Sequence, residues 1–194
     1  MRLKIVGVGE PVLRKQALPL TREQIVSPSI QQLIEHMKET VRDAPGVGLA
    51  APQVGLPLQL AVIEDRPEYY KGLKESEIEE RGRVPIPFHV IVNPVLELLA
   101  EPDVNFYEGC LSLPGFTALV RRARRVQVTC LDHRGDERQF EAEGWYARIL
   151  QHEIDHLHGT LYVDRMQSRS FSSLDNYTRH WKEKSIEAAV SELG

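Results

Sequence analysis

One segment of the sequence combines residue types and a spacing that suit metal chemistry. It reads His152-Glu153-Ile154-Asp155-His156. On a helix, two histidines four residues apart lie on one face with their Cβ atoms roughly 5–6 Å apart, close enough to hold one metal ion. The glutamate beside the first histidine could then act on a water bound to that metal. The segment therefore predicts a metal site with Glu153 as its general base.

A helix over residues 148–158 must present these side chains, and its three faces differ in polarity. Gly144-Trp145 opens it, and Gly159 is expected to end it. The apolar face, predicted to pack in the core, consists of Leu150, Ile154 and Leu157. The polar face, predicted to contact solvent, consists of Arg148, Gln151, Asp155 and His158. The third face carries both histidines and Glu153, which is costly unless something binds them. The residues alone leave open that the histidines are core residues satisfied by hydrogen bonds.

The composition excludes several classes of protein. With 194 residues, the chain is long enough for one domain whose core needs no disulfides. A net charge of −4 gives no general signature of nucleic-acid or membrane binding, and no apolar run approaches the ~18 residues of a membrane span. Two cysteines fit a reducing compartment. Residues 1–6 enter a strand-like segment without a signal or transit peptide, so we predict a cytoplasmic, bacterial protein.

The first half of the chain is predicted to contain a helix, a loop and a strand. Ser27 is expected to cap a helix over 28–43 that carries an inward apolar stripe. Residues 46–53, Gly-Val-Gly-Leu-Ala-Ala-Pro-Gln, match a dinucleotide-binding pattern. That pattern needs a strand before it and a helix after it, whereas here a helix precedes and prolines follow. We therefore predict a tight loop that brings backbone groups close to a ligand and feeds a strand at 59–63.

The remaining elements follow from apolar patterning and turn residues. Residues 64–87 are predicted to be a charged surface insertion with a short helix near 75–81. Alternation in an extended segment would place Cys110 and Ser112 on one face, and Cys130 is predicted to be a buried hydrophobe. The other predicted elements are a strand at 88–94, a hairpin at 126–142, a short strand at 160–163 and a charged helix at 172–192.

Three segments taken together resemble the three motifs of the peptide deformylases. They are residues 46–53, residues 108–112 (Glu-Gly-Cys-Leu-Ser) and residues 151–156 (Gln-His-Glu-Ile-Asp-His), in family order. The resemblance begins at residue 9 and continues to about Met166. It implies an α+β fold in which small antiparallel or mixed sheets pack around a central HExxH helix, with an N-terminal and a C-terminal helix.

The resemblance also implies the extent of the domain and its metal ligands. A catalytic domain is expected over residues 1–166, with 167–194 as a C-terminal helical extension of it. Cys110, His152 and His156 are expected to ligate one divalent ion, which family members hold as Fe(II) and which Ni, Co or Zn can replace. One thiolate and two imidazoles would leave the fourth tetrahedral position for water.

Catalytic roles follow from the same resemblance. Glu153 is expected to take a proton from the water held by the metal and later to pass it to the leaving amine. The side-chain amide of Gln53 and the backbone N–H of Leu111 would donate to the oxyanion that forms on the formyl oxygen. The products would be formate and a peptide with a free N-terminal methionine amine.

Substrate binding is expected to use backbone groups and an apolar pocket. By resemblance, the chain around Gly48 and Gly109 pairs with the peptide as an added strand, and both glycines suit a close backbone approach. Val47, Trp145 and Ile149 would form the pocket for the methionine side chain.

Two further expectations concern residues around the site. By resemblance, Glu108 is expected to pair with Arg122 and to brace the metal-bearing strand. Thr117 stands where many bacterial members carry an arginine near the substrate entrance, which predicts a different electrostatic character there.

The expected substrates are N-formylmethionyl nascent peptides, with no direct nucleic-acid or membrane partner. Contact with the ribosome and the choice between monomer and homodimer stay open. Two alternatives compete with this interpretation. One is a zinc peptidase that uses HExxH on internal peptide bonds, and the other is a non-catalytic metal-binding module. Neither accounts for both Gln53 and Glu153.

Overall fold

The structure is a computed structural model, and it describes residues 1–44 and 46–193. The α-helices are α1 (Arg22–Ile25), α2 (Pro28–Asp43), α3 (Glu75–Glu80), α4 (Gly144–Leu157), α5 (Tyr162–Arg165), α6 (Leu174–His180) and α7 (Ile186–Leu193). The strands are β1 (Gly48–Ala50), β2 (Leu60–Asp65), β3 (Ile86–Leu98), β4 (Pro102–Cys110), β5 (Leu113–Ala123), β6 (Arg125–Leu131), β7 (Glu137–Glu143) and β8 (Ser172–Ser173). Short 3₁₀ helices lie at Pro11–Arg14, Ala51–Val54, Pro67–Tyr70 and Ser168–Ser170.

The larger sheet is antiparallel, in the order β1-β2-β3-β6-β7, and it is covered by a helix on each face. Successive side chains of a strand point to opposite faces. In β2, Ala61 and Ile63 therefore pack with α4, while Leu60 and Val62 pack with α2. Burying one such aliphatic side chain stabilises the fold by about 1.5–3 kcal/mol. This packing fixes α4 against the sheet.

The smaller sheet, in the order β4-β5-β8, covers the other side of α4. The Gln151 side chain of α4 exchanges hydrogen bonds with the backbone of Ala123 in β5, accepting from its N–H at 3.1 Å and donating to its C=O at 2.9 Å. The HExxH helix therefore lies between two sheets, and the predicted α+β fold is confirmed. No helix among the described residues is long and apolar enough to cross a membrane.

Several predicted elements are confirmed within a residue or two. Helix α2 has the predicted bounds, and the Ser27 hydroxyl accepts a hydrogen bond from the N–H of Ile30. Helix α4 begins at Gly144, and Gly159 follows its end with φ of 72°. The hairpin of β6 and β7 and the short helix α3 also form where the sequence places them. Cys130 is buried as predicted.

The prediction that one face of α4 contacts solvent is wrong for three of its four residues. Arg148, Gln151 and Asp155 are buried because the smaller sheet covers this face, and only His158 of the four is exposed. Their polar groups are satisfied by partners from other segments. Asp155, for example, accepts hydrogen bonds from Arg122 and Arg165.

The segment around Cys110 does not alternate as a continuous strand. Strand β4 ends at Cys110, Leu111 and Ser112 form a tight turn, and β5 begins with Leu113 opposite Cys110. Cys110 and Leu113 therefore pack in one cluster, while Leu111 packs in another, beneath α2. The predicted loop at 46–53 also contains regular structure, because β1 pairs with β2 and Ala51–Val54 forms a 3₁₀ turn.

Two predictions for the last forty residues are also wrong. The strand predicted at 160–163 is instead the helical turn α5. The single helix predicted at 172–192 is two helices, α6 and α7, because the chain folds back on itself after Trp181. This reversal lets Tyr177 of α6 and Ala189 of α7 pack together on Tyr107 of β4.

Candidate active site

Two segments that are distant in the sequence bring three possible metal ligands together. Cys110 comes from the end of β4, and His152 and His156 come from α4. Their ligand atoms all lie within 4.8 Å of one another. The Sγ atom of Cys110 is 3.3 Å from Nε2 of His156. The structure therefore brings together all three residues that the resemblance assigns to the metal.

The donor set fits a divalent transition metal. A thiolate and two imidazoles are the ligand types of zinc and iron sites, and three protein ligands leave a position open. Burial lowers the pKa of His156 well below its usual value, with the nearby His152 acting in the same direction. That shift favours the neutral imidazole, which is the form that binds a metal.

Glu108 orients His152 by binding one of its two ring nitrogens. Nδ1 of His152 lies 3.0 Å from a carboxylate oxygen of Glu108, so the other ring nitrogen is directed toward the donor cluster. Glu108 itself accepts two hydrogen bonds from Arg122 at 3.0 Å and one from Arg148 at 2.6 Å. Burial raises the pKa of Glu108, but Arg122 and His152 outweigh burial and hold the pKa far below its usual range. The carboxylate therefore stays charged.

Glu153 lies beside the donor cluster without a hydrogen-bonding partner of its own. Its Oε2 atom is buried and unpaired among the described residues. Burial raises the pKa of Glu153 to about 7, near the value that suits a general base at neutral pH. Packing, and not a hydrogen bond, holds this side chain.

Two glycines of the 46–53 segment make that packing possible. A Cβ atom added to Gly48 would lie 2.6 Å from the carboxyl carbon of Glu153, which no real contact allows. A Cβ atom added to Gly46 would lie 2.8 Å from Cδ1 of Leu111. The sequence predicted a close approach to a ligand here. The structure places two of the chain's own side chains against these glycines.

Gln53 is oriented by the backbone of its own segment. Its Oε1 atom accepts a hydrogen bond of 2.9 Å from the N–H of Ala50. The amide nitrogen is therefore directed toward the site, 3.4 Å from the Sγ atom of Cys110 and 3.4 Å from the hydroxyl of Ser112. The N–H of Val6 donates to the C=O of Gln53, so the N-terminal segment also holds this turn in place.

One cavity of about 450 Å³ is lined by Gln53, Glu108, Cys110, His152 and Glu153. All five residues that the resemblance assigns to substrate binding contribute to its wall, namely Val47, Gly48, Gly109, Trp145 and Ile149. Glu153 and Ile149 are almost fully buried at the inner end, whereas Phe116 and Leu174 are 40% and 46% exposed. The cavity therefore runs from the donor cluster to a partly exposed apolar rim.

Sequence reasoning missed two arginines near this cavity. Arg148, predicted to contact solvent, donates to Glu108 inside the site. Arg83, in the insertion predicted to be a solvated surface, lines the cavity and packs over the Trp145 ring at 5.3 Å. Asp65 binds Arg83 through two hydrogen bonds of 2.7 and 2.8 Å. Neither the arginines nor the aromatic residues nearby form a sequence pattern that indicates these contacts.

Thr117 follows Phe116 on β5, next to the rim of the cavity. Its side chain is buried, and its hydroxyl donates to the C=O of Glu108 at 2.8 Å. Strand β8 pairs with β5 through Thr117↔Ser172 and Phe116↔Ser173. The residues of β5 that are exposed at this rim are Pro114, Gly115 and Phe116.

Comparison with known proteins decides the family. Residues 2–172 match the family model described as polypeptide deformylase. The chain belongs to this family. Peptide deformylases are hydrolytic enzymes, and this membership supports deformylation as the reaction while favouring neither the peptidase nor the non-catalytic module. The resemblance seen in the sequence is thereby confirmed.

Similar deformylases come from plants and from bacteria. The chain is 47% identical over 172 residues to the chloroplastic peptide deformylase 1A of Solanum lycopersicum, which covers 89% of the chain and 62% of that protein. It is 45% identical to peptide deformylase 3 of Streptomyces avermitilis, over 99% of the chain and 84% of that protein. The chain thus spans less than two thirds of the plant protein.

A solved structure has the same architecture. The Met-Ala-Ser-bound class I type b peptide deformylase of Acinetobacter baumannii superposes with a TM-score of 0.75. It shares 31% sequence identity, and the match covers 86% of this chain and 99% of that chain. A deformylase fold with a candidate Cys-His-His group indicates a metal ion at this site.

Proposed function

We propose that this deformylase hydrolyses the formyl group of N-formylmethionyl peptides, giving formate and a free methionine amine. One observation carries the proposal: the Glu153 carboxylate lies beside the cluster of Cys110, His152 and His156, and its buried Oε2 atom has no hydrogen-bonding partner among the described residues. A site that only stores a metal needs no such base.

The proposed metal ligands are Cys110, His152 and His156. A divalent ion held there supplies Lewis acidity and lowers the pKa of water from ~16 toward ~7. We propose Fe(II) as the ion in the cell, replaceable by Ni, Co or Zn, because the ligand set suits each of these metals.

Glu153 is the proposed general base. A pKa near 7 lets its carboxylate accept the proton of the attacking water and, once protonated, donate it to the leaving amine nitrogen. Because Gly48 has no side chain, the carboxylate can pack against its backbone.

Gln53 and Leu111 are the proposed donors to the oxyanion. The amide nitrogen of Gln53 is directed into the site because its oxygen is fixed by Ala50. The N–H of Leu111 lies in the tight turn that follows Cys110. Each well-placed donor of this kind contributes about 3–4 kcal/mol in the transition state.

The proposed peptide site lies between the outer edges of two sheets. Strand β1 ends the larger sheet and β4 ends the smaller one, and Gly48 and Gly109 of these strands both line the cavity. Unpaired edges of this kind accept an added strand. Val47, Trp145 and Ile149 would then surround the methionine side chain.

Wider assignments extend this proposal. We take residues 1–166 as the catalytic domain and 167–194 as a helical extension of it. The substrates would be nascent chains in a bacterial cytoplasm. Size-exclusion chromatography would decide between monomer and homodimer, and cosedimentation would test contact with ribosomes.

A single assay separates the candidate activities. A formylmethionyl peptide is incubated with the Fe(II)- or Ni(II)-loaded protein under reducing conditions, and formate and peptide fragments are measured. Formate release supports deformylation. Internal cleavage would support a peptidase, and bound metal without turnover would support a non-catalytic module.

The Glu153→Ala variant tests the assigned base. We expect it to keep its metal, because the three donors are untouched, and to lose turnover by the 10²–10⁴-fold typical of general-base removal. Metal analysis and formate release measure the two properties separately. Activity within about tenfold of the parent would show that the base is another group.

A further inference from the structure

The insertion over residues 64–87 contacts the indole ring of Trp145 with two arginines that the catalytic chemistry does not use. The guanidinium carbon of Arg81 lies 5.1 Å from the centroid of the Trp145 ring, and that of Arg83 lies 5.3 Å from it. A cation within about 6 Å of a ring centroid is attracted to the face of the ring. Trp145 is also one of the residues proposed to surround the methionine side chain. The insertion therefore reaches the substrate pocket through this ring.

Arg83 is fixed by other residues of the same insertion. Asp65 is fully buried and accepts two hydrogen bonds from Arg83, of 2.7 and 2.8 Å. The guanidinium also lies 4.7 Å from the centroid of the Tyr70 ring, and the Tyr70 hydroxyl donates to Asp65 at 3.3 Å. A bidentate pair of this kind sets the plane of the guanidinium. Arg83 therefore presents a fixed surface to Trp145.

Arg81 is held by aromatic rings. Its guanidinium carbon lies 5.0 Å from the centroid of the Phe106 ring, in addition to its contact with Trp145. Among the described residues, its side chain forms no hydrogen bond or ion pair. Removing Arg81 therefore leaves no buried carboxylate without its counter-charge, whereas removing Arg83 would leave Asp65 in that state. The two contacts with Trp145 can be altered separately.

The backbone of the insertion also packs on the residue that precedes Trp145. Gly144 begins α4 with φ of 61°. A Cβ atom added to it would lie 2.9 Å from the C=O oxygen of Arg81 and 3.1 Å from that of Gly82. Nε1 of Trp145 is buried and has no hydrogen-bonding partner among the described residues. Its neighbours, rather than a hydrogen bond, therefore set the orientation of the indole ring.

Trp145 lines a second cavity, of about 440 Å³, as well as the active-site cavity. Arg148 is also shared by the two cavities, whereas Arg81 lines only the second. An indole ring released from Arg81 would therefore have space to move into. Movement in that direction, away from the active-site cavity, would widen the proposed methionine pocket.

We propose that Arg81 and Arg83 are positioning residues that hold Trp145 against the methionine side chain, so that the insertion sets the size of the pocket for the first residue of the substrate. The inference rests on the proposed function, because it takes Trp145 as a wall of the methionine pocket. An apolar pocket of fixed size discriminates by about 10–200-fold per methylene group. A pocket whose wall can move discriminates less.

The test compares two tripeptides, formyl-Met-Ala-Ser and formyl-Phe-Ala-Ser, with the metal-loaded full chain. The readout is the ratio of the two values of kcat/KM, Met over Phe. In Arg81→Ala we expect this ratio to fall about tenfold, which corresponds to about 1.4 kcal/mol, because the ring can yield to the larger side chain. General loosening of the site would lower both values and leave the ratio unchanged. A fall of less than about threefold would overturn the proposal.

The matched control is Arg66→Ala. Arg66 belongs to the same insertion and packs over the Tyr69 ring at 5.9 Å, but it lines neither cavity. This variant should keep the parent ratio, and a fall equal to that of Arg81→Ala would overturn the proposal. Arg81→Lys keeps a cation over the rings and should retain most of the parent ratio. A loss in Arg81→Lys as large as in Arg81→Ala would refute the role of the cation.

Arg83→Ala tests the second contact. It should lower the same ratio, and a folded Arg83→Ala protein with the parent ratio would overturn the role of Arg83. This variant leaves Asp65 buried without a counter-charge and can fail to fold for that reason. In that event Arg83→Lys replaces it, because the lysine keeps a charge beside Asp65 but lacks the planar, bidentate guanidinium. A lowered ratio in Arg83→Lys would support the role of Arg83, and the parent ratio would overturn it.

Failure of the proposed function gives a different result. If neither peptide yields formate, deformylation is wrong, and the mobility of the indole ring then decides the positioning role. The chain has two tryptophans, so Trp181→Phe leaves Trp145 as the single one, and its time-resolved fluorescence anisotropy can be followed. Ring motion of larger amplitude in Arg81→Ala than in Arg66→Ala would support the positioning role, and equal motion would overturn it.

Discussion

Replacing Gly48 with alanine should reduce turnover without removing the metal. The three atoms nearest to the added Cβ all belong to Glu153, and the carboxyl carbon is 2.6 Å away. Carbon atoms pack at about 3.5–4 Å, so the carboxylate must move by about 1 Å. A displacement of about 1 Å can reduce a rate by about 10²-fold. We expect a loss of that size in kcat.

The expected KM of Gly48→Ala is close to that of the parent. Alanine keeps the backbone N–H and C=O that would pair with a peptide, and none of the three metal donors is among the atoms nearest to the added methyl group. Metal content and the urea midpoint should therefore also be preserved. Gly7→Ala is the matched control, since its Cβ would meet nothing closer than 4.0 Å.

A double-mutant cycle makes the test specific to Glu153. In a Glu153→Ala background the carboxylate is gone, so adding Gly48→Ala should reduce the residual rate no further. Additive losses would mean that Gly48 acts through another group. The reasoning would also be refuted if Gly48→Ala alone retained its metal and turned over within about threefold of the parent.

Two further predictions concern ion pairs. Arg122→Glu should lose metal retention and activity and cost more than about 3 kcal/mol of stability, because it places a second buried carboxylate against Glu108. The control is Arg121→Glu, on an exposed neighbour, which should change neither property. Metal retained by Arg122→Glu would refute the bracing role. The hydrogen bonds from Arg42 hold the pKa of Glu64 below its usual value. The pair therefore stabilises the fold above the ordinary pKa of about 4.3, and this contribution is lost as the pH falls through the lowered pKa. Glu64→Gln should cost about 1 kcal/mol in urea unfolding at pH 7 and less once the pH lies below the lowered pKa, and a cost that did not fall with pH would contradict the pairing.

Helices α2 and α4 could be predicted because their signals are local. Ser27 and Pro28 mark the beginning of α2, and its apolar spacing marks the buried face. Helix α4 ends before Gly159, whose φ of 72° suits glycine. Such signals depend on neighbours in the sequence, so one chain suffices to identify them. The histidine pair of α4 belongs to the same class of signal.

The polar face of α4 could not be predicted in the same way. Helical periodicity assigns Arg148, Gln151 and Asp155 to one face, and polar faces usually contact solvent. Here the partners come from another part of the chain, since Glu108 and Arg122 of the smaller sheet supply the opposite charges. Removing one member of such a buried network leaves an uncompensated charge. The pattern of α4 alone therefore contains no information about whether its polar face is buried.

Cys110, at the site itself, also could not be assigned from its local sequence alone. Its residue type and strand position alone allowed a small buried hydrophobe, and only the combination of three motifs assigned it to a metal. The tight turn at Leu111 and Ser112 could not be predicted, because an alternating pattern assumes an extended segment and does not indicate where the chain reverses. That reversal directs the Cys110 thiol toward His156 and places the backbone of Leu111 beside it.

The glycines of the 46–53 segment explain how the three motifs fix one another. Residues two apart in an extended chain face the same side, so Gly46 and Gly48 present bare backbone to one region of the site. Gly46 leaves room for the side chain of Leu111, whose N–H is a proposed oxyanion donor. Gly48 leaves room for Glu153, the proposed base. A side chain at either glycine would displace one of these two side chains, and no metal donor is among the atoms nearest to it.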